Sequence, residues 1–327
     1  MVQYKFVDLS KFEKEIKFFF QKHPFGRYLL DRNFATTGAI DFEWNKVLEY
    51  SKTASVAIAL NNNSEVIGLI GFHLSKWDTE VFQKKLAFLQ YFLVLEGADV
   101  SFEREVASNL LEKFHEWTIE LKIEVVITKL DTQYFSPIYI LQQNGYIFYE
   151  TITYQTIDAS DVATGIADRI EYRYACEADI EALKNIGLKN TYPKSHFYLD
   201  NKFPVEKVDL MYSCWMENAV KSSQKIVIIE EANQIAGVFV YDVVNHKTTI
   251  NKKFGVWKSA FVDSNFRDKG IGLKLFKAAM QSCLNNGVDI IDSSLVDKNI
   301  GSQSLHNKLG FRLVNTQYTF HKWLDNN

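Results

Sequence analysis

Six consecutive residues carry the clearest chemistry in the chain: Arg267, Asp268, Lys269, Gly270, Ile271 and Gly272. The two glycines let the backbone come close to a ligand. The amides that open a following helix point outward, with the positive end of the helix dipole behind them. Arg267 and Lys269 add positive charge. Residues of these types in this order suit a diphosphate, and the segment reads as a pyrophosphate cradle. An ordinary tight turn is the competing reading, because Gly-x-Gly at a helix start is a common local device.

A cradle of this kind needs a rigid element on each side. Val256 to Val262 is rich in strand formers, and Leu275, Phe276, Ala279, Met280 and Cys283 recur at helical spacing until Gly287. Further on, Val288 to Val296 reads as a second strand and Asn299 to Phe311 as a short helix closed by glycine. The paired segments, Arg-x-x-Gly-x-Gly after one strand and Asn-x-x-Ser-x-x-Leu-His-x-Lys-Leu-Gly-Phe after the next, resemble the two acetyl-CoA-binding segments of the GNAT acetyltransferase superfamily. The resemblance implies acetyl-CoA as cosubstrate, with Arg267, Asp268, Lys269, Gly270, Ile271 and Gly272 on its pyrophosphate and Asn299 and Ser302 along the pantetheine path. It also implies a polarising backbone amide on the preceding strand, at about Ala260, Phe261 and Val262. His306 stands where the superfamily commonly places a Tyr that protonates the CoA thiolate. The resemblance makes it the expected catalytic acid, and a mere lining role in the pantetheine channel is the alternative. No side chain stands out as the base for the amine, so a water chain serves equally well.

Length and composition fit an enzyme of this kind. The 327 residues suffice for two domains of ordinary size. With 47% hydrophobic residues, 24% charged residues and a net charge of −3, neither disorder nor generic nucleic-acid binding is expected. The first residues lack the pattern of a signal peptide, and no run reaches the roughly 18 apolar residues of a membrane span, so a cytoplasmic protein with no membrane partner is expected. Cys176, Cys214 and Cys283 are far apart and odd in number, which argues against a disulfide framework. No His, Asp or Glu cluster shows metal-ligand spacing, so no metal is expected. A monomer or homodimer is the expected state.

An internal repeat organises the whole. Asn144-Gly145-Tyr146 and the strand-like Tyr149 to Tyr154 line up with Leu309-Gly310-Phe311 and Thr316 to Phe320, about half the chain later. The order of elements upstream agrees. The expected fold class is α+β, a mixed α/β arrangement of two tandem GNAT folds, each a twisted mixed sheet flanked by helices. Its domains would be residues 1–158 and 169–327, joined by a small, polar linker at 159–168.

The halves differ chemically. Where the second has its cradle, the first has Glu96, Asp99, Glu103 and Glu105, carboxylates that would repel a pyrophosphate. Counted back from Gly145, Tyr134 falls at the position of Asn299 and Leu141 at that of His306. The first half therefore reads as a degenerate domain, structural or substrate-shaping.

A narrower resemblance bears on the acceptor. Trp77-Asp78-Thr79-Glu80-Val81-Phe82 is similar to a stretch in the N-terminal domain of the dTDP-fucosamine acetyltransferase group. Ser195-His196-Phe197-Tyr198-Leu199-Asp200, with Tyr212 and Trp215 after it, is similar to stretches that precede the catalytic core of that group, and His196 stands where the group has Arg. The resemblance implies a small-molecule primary amine as acceptor, favours a nucleotide-linked amino sugar, and makes Asp78, His196 and Phe197 substrate-binding candidates. Asp78 also suits a turn or helix cap, and Trp77, Phe82 and Trp215 suit core packing. Acetylation of a peptide amine and non-catalytic CoA binding remain as alternatives.

Overall fold

A computed structural model describes residues 2–22, 26, 36–97, 99–165, 169–189, 195–222, 224–246 and 250–324. Ala98 of the acidic run and residues 166–168 of the expected linker lie outside the described residues. The chain forms two compact units, one of residues 1–151 with 315–327 and one of residues 152–314. The final strand of each half is thereby exchanged relative to a simple cut at the linker.

The first unit contains β1 (Gln3–Phe6), α1 (Glu13–Lys22), α2 (Thr36–Ser51), β2 (Ser55–Leu60), β3 (Val66–Leu74), α3 (Lys76–Phe82), β4 (Leu86–Val94), α4 (Val100–Glu120), β5 (Val125–Asp131) and α5 (Phe135–Gln143). Its sheet runs β1-β2-β3-β4-β5 and is completed by β12 (Arg312–Trp323), which lies antiparallel to β5. Val106, Leu110, Leu111 and Phe114 form the apolar stripe of α4 and pack with Ala57, Ile70 and Phe72 on one face of the sheet. On the opposite face Ile16, Phe19 and Phe20 of α1 pack with Val56, Ile58 and Leu69.

The second unit begins within β6 (Ile147–Asp158) and continues through α6 (Ala159–Gly165), β7 (Arg173–Tyr174), α7 (Ile180–Leu188), α8 (His196–Leu199) and α9 (Val205–Lys221). Then follow β8 (Lys225–Glu231), β9 (Gln234–Asn245), β10 (Lys253–Val262), α10 (Ile271–Asn285), β11 (Ile290–Val296) and α11 (Ile300–Lys308). The sheet order is β6-β11-β10-β9-β8-β7, with β6 antiparallel to β11 and β11 parallel to β10. Leu275, Phe276, Ala279, Met280 and Cys283, the stripe read from the sequence, bury α10 against Trp257, Phe239 and Ile291. Leu183 and Ile186 of α7 and Met216 and Ala219 of α9 cover the other face. Part of the expected linker is itself helical, as α6. Both units are mixed α/β, with helices on either face of a largely antiparallel sheet that has one parallel pair.

Candidate active site

The parallel pair in the second unit is short. β10 and β11 pair only from Phe254 opposite Ile290 to Trp257 opposite Ser293, although both strands run on. The register between β10 and β9 shifts between Trp257 and Ser259, so Lys258 is the extra residue of a bulge. A one-residue shift exchanges the faces of a strand. Accordingly Trp257 packs on the α10 face together with Ala260 and Val262, while Phe261 packs on the α7/α9 face. Beyond the bulge β10 stays with β9 and leaves β11, which opens a gap between two strands.

Strand alternation says which amides face that gap. The Asp263 N–H donates to Ala236 O at 3.0 Å, so in the register of Ala260 opposite Phe239 it is the odd-numbered amides that point to β9. Ala260 and Val262 direct their N–H and C=O groups to the other side. At the mouth of the gap Arg267 Nε donates to the Val262 carbonyl at 3.2 Å. Phe261 and Ile271 bury their side chains, so only their backbone is available to a ligand.

The cradle loop is built by local capping. Asp263 accepts from the Asn265 N–H at 2.9 Å and fixes a 3-10 turn over Ser264–Phe266. Asp268 at φ 60° and Gly270 at φ 79° then lie in the left-handed region, a cost that falls on Asp268 and that glycine avoids. Nothing lies within 4 Å of where a Cβ on Gly270 would stand, and Gly270 caps α10 without any side-chain hydrogen bond. The first helical bond is Lys274 N–H to Gly270 O at 3.1 Å, which leaves the Ile271, Gly272 and Leu273 amides to the open side. Arg267 and Lys269 are exposed there, and Lys269 Nζ reaches Asn265 O at 2.9 Å. A concave backbone, uncapped amides and two cations fit a pyrophosphate.

On α11, Asn299 Oδ1 accepts from the Ser302 N–H at 3.2 Å and caps the helix, which leaves its amide nitrogen for a ligand. His306, the residue expected as catalytic acid, is buried. Its side chain is 2% exposed and enclosed by Trp257, Phe276 and Phe311. Nδ1 lies 2.7 Å from Ser302 O, a carbonyl that can only accept, so the proton sits on Nδ1 and Nε2 accepts from Ser293 Oγ at 2.8 Å. Burial holds the imidazole down to about 4, which keeps it neutral. The ring ties α11 to β11 through these two contacts. Ser293, its partner, carries no signal in the sequence because the contact depends on how α11 crosses the strand.

The acceptor candidates belong to different units. His196 and Phe197 open α8, buried, with ring centroids 4.1 Å apart. Beside them Tyr212 Oη donates to Ser195 Oγ at 2.8 Å, Tyr198 Oη donates to Asp209 Oδ1 at 2.5 Å, and the two phenol rings stack at 5.8 Å. Asp78 belongs to the first unit and lies in the first turn of α3, whose N-cap is Ser75: Ser75 Oγ donates to Asp78 Oδ2 at 2.5 Å and accepts from the Asp78 N–H at 3.4 Å. Its carboxylate is buried and engaged by the capping Ser75.

The first unit keeps the geometry of the gap but not the open helix start. β4 and β5 pair only from Leu86 opposite Val125 to Leu89 opposite Thr128, and a bulge falls at Gln90. At the start of α4, however, Asp99 Oδ1 takes the amides of Ser101 and Phe102 at 2.9 and 3.2 Å. The buried Glu103 accepts from the Gly97 N–H at 2.7 Å and from Ser136 Oγ at 2.9 Å. The chain's own carboxylates occupy the donors that a pyrophosphate would use. Among the described residues no three His, Cys, Asp or Glu stand as a metal site, and no helix is long and apolar enough to cross a membrane.

Comparison with known proteins agrees with this geometry. Residues 188–311 match the model of the acetyltransferase (GNAT) family. A tandem GNAT protein from the clavulanic acid biosynthesis pathway is similar in fold over 99% of this chain and 98% of its own, with TM-score 0.57 at 11% identity. A GCN5-related N-acetyltransferase from Sphaerobacter thermophilus is similar over 86% of this chain and 85% of its own, with TM-score 0.56 at 12% identity. The glucosamine N-acetyltransferase region of a fungal multi-domain GH3 β-N-acetylglucosaminidase is similar over 98% of this chain and 38% of that protein, with TM-score 0.63 at 10% identity. No curated protein matches the sequence. The family uses acetyl-CoA generally. The strand gap and the glycine-capped cradle both fall within residues 188–311, the stretch that is similar to the acetyltransferase (GNAT) family.

Proposed function

We propose that the second unit transfers an acetyl group from acetyl-CoA to the primary amine of a small molecule, and that a nucleotide-linked amino sugar is the acceptor. The observation that carries the cofactor part is the contrast between two helix starts: α10 opens on Gly270 with free amides, whereas α4 opens on Asp99 with its amides filled. When bound, acetyl-CoA supplies an acetyl group already activated as a thioester.

The chain's own residues do the rest. Ile271, Gly272 and Leu273 amides, with Arg267 and Lys269, would hold the diphosphate, and Asn299 Nδ2 and the Ser302 region would flank the pantetheine arm. The amides of Ala260 and Val262 face the gap as fixed donors for a carbonyl oxygen, and such preorganised donors supply much of the rate in acyl transfer. Holding the amine and the thioester together supplies most of the remainder. With His306 neutral and occupied, the leaving sulfur takes its proton from water.

The amino-sugar acceptor rests on the resemblance of the Ser195 to Asp200 stretch. The phenols of Tyr198 and Tyr212, held stacked by Asp209 and Ser195, support it by offering a polar, aromatic wall of the kind that suits a sugar face. Release of CoA thiol across a panel of amines tests the proposal. Thiol release with a dTDP-linked amino sugar and none with lysine-containing peptides is expected. Release with the peptides alone would transfer the reading to protein amines, and binding of CoA without release to any amine would make the chain a binding protein.

A further inference from the structure

Lys322 is an unusual amine for this chain. It lies near the end of β12 in the first unit, only partly exposed, with its Nζ 3.5 Å from His115 Nε2 of α4 and 5.3 Å from the centroid of the Tyr146 ring. Among the described residues no carboxylate pairs with it, whereas many other lysines of the chain do pair with one, Lys46, Lys52, Lys84, Lys113 and Lys274 among them. The groups facing it are an imidazole and a phenol. Tyr146 Oη stands 3.2 Å from the same His115 Nε2, and the two rings stack at 6.1 Å, so the imidazole is held in place.

We propose that Lys322 is an acyl-acceptor site of the protein itself, where the ε-amine, assisted by His115, takes the acyl group of an acyl thioester faster than the other lysines do. The neutral Nζ attacks the acyl carbon. A C–N bond forms as the C–S bond breaks, the sulfur leaves as thiolate, and the proton lost from nitrogen passes to His115 Nε2 and then to solvent. Two features of the surroundings favour the step. Burial without a counter-ion lowers the ammonium's pKa and raises its reactive free-amine fraction, and burial together with the nearby ammonium holds His115 at about 4, so its ring is neutral and able to accept. The product is a neutral amide, which removes the uncompensated cation and keeps the contact with the Tyr146 ring. The site needs nothing from the cradle of the second unit, so it stands independently of the proposed acceptor.

The test uses full-length protein incubated with acetyl-CoA, with occupancy of each lysine followed by peptide mass spectrometry. Lys322 is expected to be acetylated faster than the median lysine, since a lowered pKa raises the free-amine fraction and His115 stands beside the amine. His115→Phe is expected to bring Lys322 down to the median and leave the other lysines unchanged. Gly270→Glu, which blocks the cradle, is expected to leave Lys322 as fast as in the wild type. A wild-type rate at or under the median overturns the proposal and needs no variant to fold. Loss of the modification in Gly270→Glu overturns it as well, by assigning the transfer to the second unit.

Discussion

Trp257 and Ser293 are the last residues that β10 and β11 share, and the whole candidate site lies beyond that pair. One step further on, Lys258 is a bulge, and its insertion turns the amides of Ala260 and Val262 into the gap. Replacing a gap-facing amide with an imino nitrogen removes the donor while sparing the ladder to β9. Ala260→Pro and Val262→Pro are therefore expected to keep a cooperative fold, and the one that supplies the polarising donor should lower turnover by about 100- to 1000-fold, as loss of an oxyanion donor typically does. Steady-state thiol release reads this. Full turnover in both variants would remove the backbone of β10 from catalysis.

His306 gives a prediction about stability instead of proton transfer. Its folded-state pKa, about 4, lies below the ordinary value of 6.5, so the unfolded chain binds the extra proton first. The contribution is present above about pH 6.5 and is lost as pH falls toward 4. A shift of this size corresponds to roughly 3 kcal/mol at most for a group this buried. Urea midpoints measured from pH 7 to pH 4 should fall more steeply for wild type than for His306→Phe, which at neutral pH should be less stable by about 1–3 kcal/mol through its orphaned partners Ser293 and the Ser302 carbonyl. The pH profile of turnover near neutrality should be the same in both. A profile that loses its alkaline limb in His306→Phe would return the acid role to this residue.

Gly187 of α7 lies directly against the backbone of α9. A Cβ there would stand 2.6 Å from the Ser213 amide nitrogen and 2.7 Å from its Cα. Both are backbone atoms, which cannot swing aside. Gly187→Ala should cost about 1–3 kcal/mol by overpacking. Because α9 also carries Asp209 and Tyr212, the same variant should raise the acceptor Michaelis constant while CoA affinity stays put. Thermal melts and substrate titrations check the two parts separately.

In the first unit, the capping role of Asp99 predicts that Asp99→Ala lowers stability by about 1 kcal/mol, the usual cost of an N-cap. It should not create a second cofactor site, because Glu103 still holds the Gly97 amide. Chemical denaturation and a CoA titration of the same preparation read both.

The legible part of this protein was what depends on local order. The glycine cap at Gly270, the apolar stripe of α10 and the carboxylate cap at Asp99 all follow from residue types at short spacing. What the sequence hid depends on pairing between distant segments. Exchange of the terminal strands is invisible because Tyr149 to Tyr154 and Thr316 to Phe320 both read as good strands whichever unit they join. The bulge at Lys258 leaves only a faint trace, a change in which of Trp257, Ala260 and Phe261 share a face. For His306 the motif gives the place on α11 and not the inward direction of the ring, which meets Ser293.

The central claim is that one cofactor binds per chain, in the cradle of the second unit. Calorimetric titration of the full-length protein with acetyl-CoA, beside Gly270→Glu, tests it most directly. The substitution puts a carboxylate into the open space over Gly270, at a left-handed backbone position whose strain alone costs roughly 1–2 kcal/mol. The account predicts a stoichiometry of one for the wild type and at least ~100-fold weaker binding in the variant, since the added charge meets the pyrophosphate at close range. Two molecules bound per chain, or an unchanged affinity in a folded Gly270→Glu protein, would contradict it.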